Sequence, residues 1–157
     1  ARLGSERIKS CFALYPAAHL THPERLDTVM GCVSDKFRSG VVIPHWCMKL
    51  FINAYTTPGT DMNDPRLSPM FYDASKFPKY VAVACGDADT LYRMSFDLMK
   101  KISGSASGTN VDGSRKFICV PNEAHEFNTF GRTRASQEER DRVEGEAINM
   151  IRASWRQ

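Results

Sequence analysis

Two short, apolar runs, each released by a turn into a helical pattern, restrict the fold of this chain more than any other feature. The first is Tyr80-Val81-Ala82-Val83-Ala84-Cys85, closed by Gly86-Asp87-Ala88-Asp89-Thr90-Leu91. The second is Lys116-Phe117-Ile118-Cys119-Val120, followed by Pro121-Asn122-Glu123-Ala124-His125-Glu126-Phe127. Both have strand composition. Between them Leu91, Met94, Leu98 and Ile102 recur at helical spacing, which predicts a helix over about 90–102 with that stripe inward. Strand, helix and strand in so few residues imply a parallel pair joined by a right-handed crossover.

The flanking segments extend this pattern. Residues 1–7 are polar and read as a connector, and Ile8–Tyr15 has strand composition up to Pro16, which stops it. Residues 16–43 show only weak helical patterning, around Leu26, Val29, Met30 and Val33. Pro44 suits the first position of a helix running through Tyr55. Trp46, Leu50, Phe51 and Ala54 share one face of it, and Met48 and Ile52 widen the apolar arc. A helix apolar around most of its girth is buried or lines a pocket. Trp46, Met48, Phe51, Met70, Phe71 and Tyr72 together are read as core. Residues 56–79 are rich in turn residues and read as loops. Near the end, Ser136 with Glu139 has the form of a capping box, and Val143, Ala147, Met150 or Ile151, and Trp155 give an inward stripe. Three strands alternating with three helices predict an α/β fold, a mostly parallel sheet with flanking helices.

Composition narrows the functional classes. The chain has 157 residues, enough for one domain, and 21 basic against 18 acidic residues are interspersed for a net charge of +3. No basic stripe stands out, so nucleic acid is not expected as a partner. The five cysteines include no CxxC pair, and those within apolar runs are expected to be small buried hydrophobes. The absence of a disulfide framework favours a reducing, cytoplasmic location. No apolar stretch is long enough to span a bilayer and no signal peptide is evident; the chain opens on Ala1 without a methionine, and its true start is expected to be lost. His, Cys and Asp spacings suggest no metal site, and no cofactor is expected.

In a parallel sheet, functional loops leave the carboxyl ends of the strands. Asp89 occupies one such loop and His125 the next. A carboxylate that accepts the Nδ1 proton of an imidazole fixes its tautomer and frees Nε2 as a general base. Acid then histidine is the trailing part of a Ser…Asp…His triad in one known chain order. Blander readings stand beside this one. Asp89 precedes a helix and suits a capping role, Asp87 is a turn residue or the true acid, and His125 could be a solvated loop histidine. His19, His22 and His45 have no partner pattern and read as structural or surface residues. The loop 103–110 superficially suggests a nucleophile elbow, but its central residue is Ala106 and it follows a helix rather than a strand.

Four segments carry a family resemblance. Leu14-Tyr15-Pro16 is similar to a "YP" strand end, and Asp64-Pro65-Arg66-Leu67-Ser68-Pro69 to a "DP..SP" loop. Phe77-Pro78 before the strand ending in Gly86-Asp87-Ala88-Asp89-Thr90-Leu91 is similar to an "lPP…DPL" acid segment, and Pro121–Phe127 to a "PG..HGF" histidine segment. In this order they resemble the C-terminal half of α/β-hydrolase-fold esterases, most closely the hormone-sensitive-lipase-like group, over residues 8 to about 130. The resemblance implies that Asp89 is the catalytic acid and His125 the base. It also implies that about 19–55 contributes to a cap and acyl pocket, with Trp46, Phe51 and Leu91 binding an apolar part of a small ester. Thr90 stands where the family has proline after the acid, and Glu126 where it has glycine after the histidine.

The family's HGG-type oxyanion segment and GxSxG elbow are both missing from the sequence. The chain is therefore expected to be the C-terminal part of the hydrolase domain, incomplete without a partner chain carrying the N-terminal half and the serine; a homo-oligomer is also compatible. Together they would hydrolyse carboxylic esters through an acyl-enzyme. The alternatives are a non-catalytic hydrolase-fold protein that binds a small apolar ligand, and a free-standing α/β interaction domain.

Overall fold

The computed structural model describes residues 7–130 and 133–156. The connector predicted over 1–7 lies, but for Arg7, outside the described residues. Three strands, β1 (Ser10–Leu14), β2 (Tyr80–Gly86) and β3 (Arg115–Val120), form a parallel sheet in the order β1-β2-β3. Phe12 stands opposite Ala82, and Val83 opposite Phe117. Four α-helices accompany it: α1 (His45–Tyr55), α2 (Tyr92–Ser103), the short α3 (Phe127–Phe130) and α4 (Arg134–Trp155).

The unbroken apolar run of β2 reflects its central place, since Val81 through Cys85 are all buried. Successive side chains of a strand point to opposite faces, so both faces must be apolar when both are covered. On one face Ala82, Ala84, Ile118 and Val120 pack with Phe127 and with Val143 and Met150 of α4. On the other, Val81 and Val83 meet Leu98, Met99 and Ile102 of α2. A third cluster joins Leu26, Met30, Met48, Ile52 and Met62 to Leu91 and Met94 at the start of α2. Helix α2 ends at Gly104, which takes the left-handed conformation (φ 68°) that a side chain would oppose. Among the described residues no helix is long and apolar enough to cross a membrane.

Several local expectations are corrected. The weak pattern at 26–33 resolves into a 3-10 segment, Pro23–Thr28, that buries Leu26. In α1 the buried residues are Met48 and Ile52, whereas Trp46 (66% exposed), Leu50, Phe51 and Tyr55 are exposed. With apolar residues around most of its girth, periodicity alone could not say which arc would meet Leu26 and Met30. The expected aromatic and methionine core is split for the same reason: Met48 joins the third cluster, while Met70 packs beside α2 on the sheet and Phe71 is exposed. Pro44 is the N-cap of α1 rather than its first residue. Helix α4 starts earlier than the capping-box pattern suggested. Thr133 caps it by accepting the Ser136 N–H at 3.1 Å, and Glu139 pairs with Arg142 instead. Met150 and Ser154 point inward, and Ile151 and Trp155 are exposed. Cys11 and Cys119 are also exposed, each on the less covered face of an outer strand of the sheet, whereas Cys85 on β2 is buried.

Candidate active site

The turn after β2 and the loop after β3 are joined through their backbones before any side chain is considered. Asp87 N–H donates to the Val120 carbonyl and Ala88 N–H to the Glu123 carbonyl, both at 3.1 Å. Asn122 N–H donates to Asp87 Oδ1 at 2.8 Å. Asp87 is thus a turn residue that ties the two loops together. Close approach depends on Gly86, where a Cβ would stand 2.0 Å from the Glu123 carbonyl oxygen.

On this platform Asp89 and His125 meet. Asp89 Oδ2 lies 2.9 Å from His125 Nδ1, and the carboxylate is fully buried while the imidazole is nearly so. The other oxygen, Oδ1, accepts the Leu91 N–H at 2.8 Å, just ahead of α2. Asp89 is therefore not the N-cap of α2, a position Leu91 takes without a side-chain bond; one of its oxygens closes the turn before the helix and the other meets the imidazole. Nε2 of His125 has no hydrogen-bond partner among the described residues.

The histidine's backbone is held by a strap at 38–41. Val41 N–H donates to the His125 carbonyl at 2.8 Å, and His125 N–H donates back to Val41 at 3.0 Å. The strap needs Gly40, with φ at 91° and a would-be Cβ 2.4 Å from the His125 carbonyl oxygen. Glu126 follows in the left-handed region (φ 58°), a conformation that a side chain opposes. Tyr15 at the end of β1 packs its ring 4.3 Å from the imidazole centroid, and its hydroxyl donates to Asn128 Oδ1 at 2.7 Å. Burial raises the Tyr15 pKa, and the nearby Glu126 carboxylate adds to the effect. Cys85 behind the acid is held neutral: burial pushes its pKa well above the ordinary thiol value, and the Asp89 charge reinforces it.

His125 opens on an apolar cleft of about 680 Å³. Tyr15, Leu20, Met48, Phe51 and Leu91 line it along with the histidine. Of the residues expected to bind substrate, Phe51 and Leu91 reach this cleft and Trp46 does not. His19 packs edge-on against Phe71, His45 pairs with Asp27, and His22 is exposed, so none of the three approaches His125. No group of three His, Cys, Asp or Glu side chains among the described residues is arranged to hold a metal ion. Sequence reasoning missed the contacts of Tyr15 and the strap with His125, and the place of Glu123 where its carbonyl meets the acid loop. Tyr15 carried a signal in its strand-end motif; the strap and Glu123 carried none, because their partners are remote in the chain.

A parallel sheet that delivers an acid and a histidine from the carboxyl ends of neighbouring strands defines a class of α/β protein with its site on the strand-to-helix loops. The chain belongs to the α/β-hydrolase fold family, whose profile matches residues 1–129. Among solved structures it is similar to brefeldin A esterase, described as a bacterial homologue of human hormone-sensitive lipase. The match has 19% identity and a TM-score of 0.60, and covers 93% of this chain and 41% of that one. An α/β-hydrolase enzyme from the metagenome of Lake Arreo, Spain, matches at 18% identity and a TM-score of 0.55, over 84% of this chain and 39% of that one. Carboxyl esterase 2 of the mycorrhizal fungus Tuber melanosporum matches at 13% identity and a TM-score of 0.52, over 94% and 43%. At these identities the likeness is one of fold. The chain spans about two fifths of the length of each of these structures. No curated protein sequence matches it.

Proposed function

We propose that this chain supplies the acid and histidine of a serine carboxylesterase, and that a partner chain carrying the N-terminal half of the hydrolase contributes the serine and oxyanion donors. The observation that carries this reading is the contact of 2.9 Å between the buried Asp89 and the partly exposed His125 at the mouth of an apolar cleft. His125 Nε2 takes the proton of the attacking hydroxyl, and Asp89 stabilises the imidazolium that forms. The proton then passes to the departing alcohol, leaving an acyl-enzyme. In the second half-reaction His125 activates water against the acyl group and returns the proton to the serine. Phe51 and Leu91 offer the apolar wall against which an acyl or alcohol chain rests, with residues of the 19–55 segment completing it.

A fluorophosphonate probe tests this reading, because it reacts only with an activated serine. In the assembled protein it is expected to label the partner chain and leave this chain unlabelled. An accessible partner elbow serine that stays unlabelled would favour a ligand-binding protein on the same fold. A single cooperatively folded 17.7 kDa species in native mass spectrometry would argue for a free-standing domain.

A further inference from the structure

We infer that Glu123, resting on the esterase reading above, is a positioning residue that holds His125 against Asp89. Its side chain is fully buried, yet it carries a carboxylate. Oε1 accepts from Arg38 Nε at 3.1 Å and from Ser136 Oγ at 2.9 Å, and Oε2 accepts from Ser39 Oγ. Apolar residues of similar volume often replace buried ion pairs without loss of stability, so stability alone does not account for a charge here. What the charge does is join three remote elements.

Arg38 and Ser39 open the strap whose Val41 grips the His125 backbone on both sides. Between Glu123 and His125 stands only Ala124, fully buried, whose N–H donates to the Ser39 carbonyl at 3.0 Å. Ser136 belongs to the first turn of α4. The Glu123 carbonyl meanwhile accepts from Ala88, the residue before Asp89. One residue thus couples the strap, the α4 start and the acid loop, and the imidazole sits where those constraints meet. Remove the charge and the strap keeps its backbone bonds to Asn122, Ala124 and His125 but loses the Arg38 ion pair, so the imidazole is held less closely against the acid. A displacement of about 1 Å at such a site costs on the order of a hundredfold in rate.

The test uses the assembled enzyme with Glu123→Gln, which keeps size and removes charge. Its kcat per fluorophosphonate-titrated site is expected to fall about ten- to a hundredfold, with KM changed by less than about twofold. The downfield NMR signal of the Nδ1 proton shared with Asp89 is expected to broaden or vanish. Wild-type values for both kcat and this signal would overturn the inference, whatever happened to the melting temperature. If Glu123→Gln does not fold, Ser39→Ala decides. It leaves the Arg38 pair intact and should give the same pattern at roughly threefold in kcat, and no change there overturns the inference. If the wild-type assembly hydrolyses no ester, the esterase reading fails by itself. The Nδ1 signal then decides alone: its loss in the variant sustains the positioning role, and its persistence ends it.

Discussion

Asp89→Asn is expected to lower kcat of the assembled enzyme about ten-thousandfold while leaving KM nearly unchanged. The size of the effect follows from which oxygen does what. Oδ1 accepts the Leu91 N–H, so the amide oxygen of an asparagine must stay there to keep that bond. Its NH2 group is then forced into the Oδ2 position, facing His125 Nδ1. A donor facing Nδ1 requires that nitrogen to be unprotonated, which moves the ring proton to Nε2. The nitrogen meant to serve as base is then blocked. The fold should survive, because the bond to the Leu91 N–H and the buried volume are both preserved. Steady-state kinetics normalised to titrated sites, with circular dichroism to confirm folding, measure this. A loss of less than about tenfold would mean that the contact does not orient a base.

Gly86→Ala should be the most damaging small substitution for stability. Its Cβ would stand 2.0 Å from the Glu123 carbonyl oxygen and 2.6 Å from the carbonyl carbon. Backbone cannot rotate aside as a flexible side chain can. The carbonyl in question is also tied to the Ala88 N–H, so relief requires parting the acid loop from the histidine loop. A cost of at least about 3 kcal/mol is expected, read as a lowered urea midpoint, with activity falling further than stability alone explains. Gly145 in the middle of α4 is the matched control, since nothing lies within 4 Å of its would-be Cβ. There the change to alanine should stabilise by about 0.5–1 kcal/mol, because glycine is a poor helix former.

Both variants act on features that the sequence displays to different degrees. The parallel β2–α2–β3 unit was legible because its signals are local: an apolar run, a turn, then a stripe at Leu91, Met94, Leu98 and Ile102 that is buried as expected. Asp89 and His125 were legible because parallel strands put their following loops on the same edge. Helix α1 was legible as a helix but not in orientation. Its apolar arc was too wide for spacing to choose between Met48 with Ile52 and Trp46 with Leu50, and only the contact with Leu26, Met30 and Met62 makes the choice. Cys119 was misjudged because its run resembles that of β2, yet only one face of β3 is covered, burying Ile118 and Val120 and leaving Cys119 between them exposed.

By itself, then, the order of residues determined the three strands, the three longer helices, the parallel arrangement and the two loops from which chemistry could come, since these follow from short-range periodicity and steric limits on chain connection. Only the tertiary structure decided that Asp89 divides its oxygens between the Leu91 N–H and an imidazole, that Tyr15 packs on the ring, and that Glu123 reaches Arg38 across 85 positions of chain. Those contacts join segments with no local pattern in common. They form because a buried donor or acceptor must find a partner wherever the fold brings one within reach.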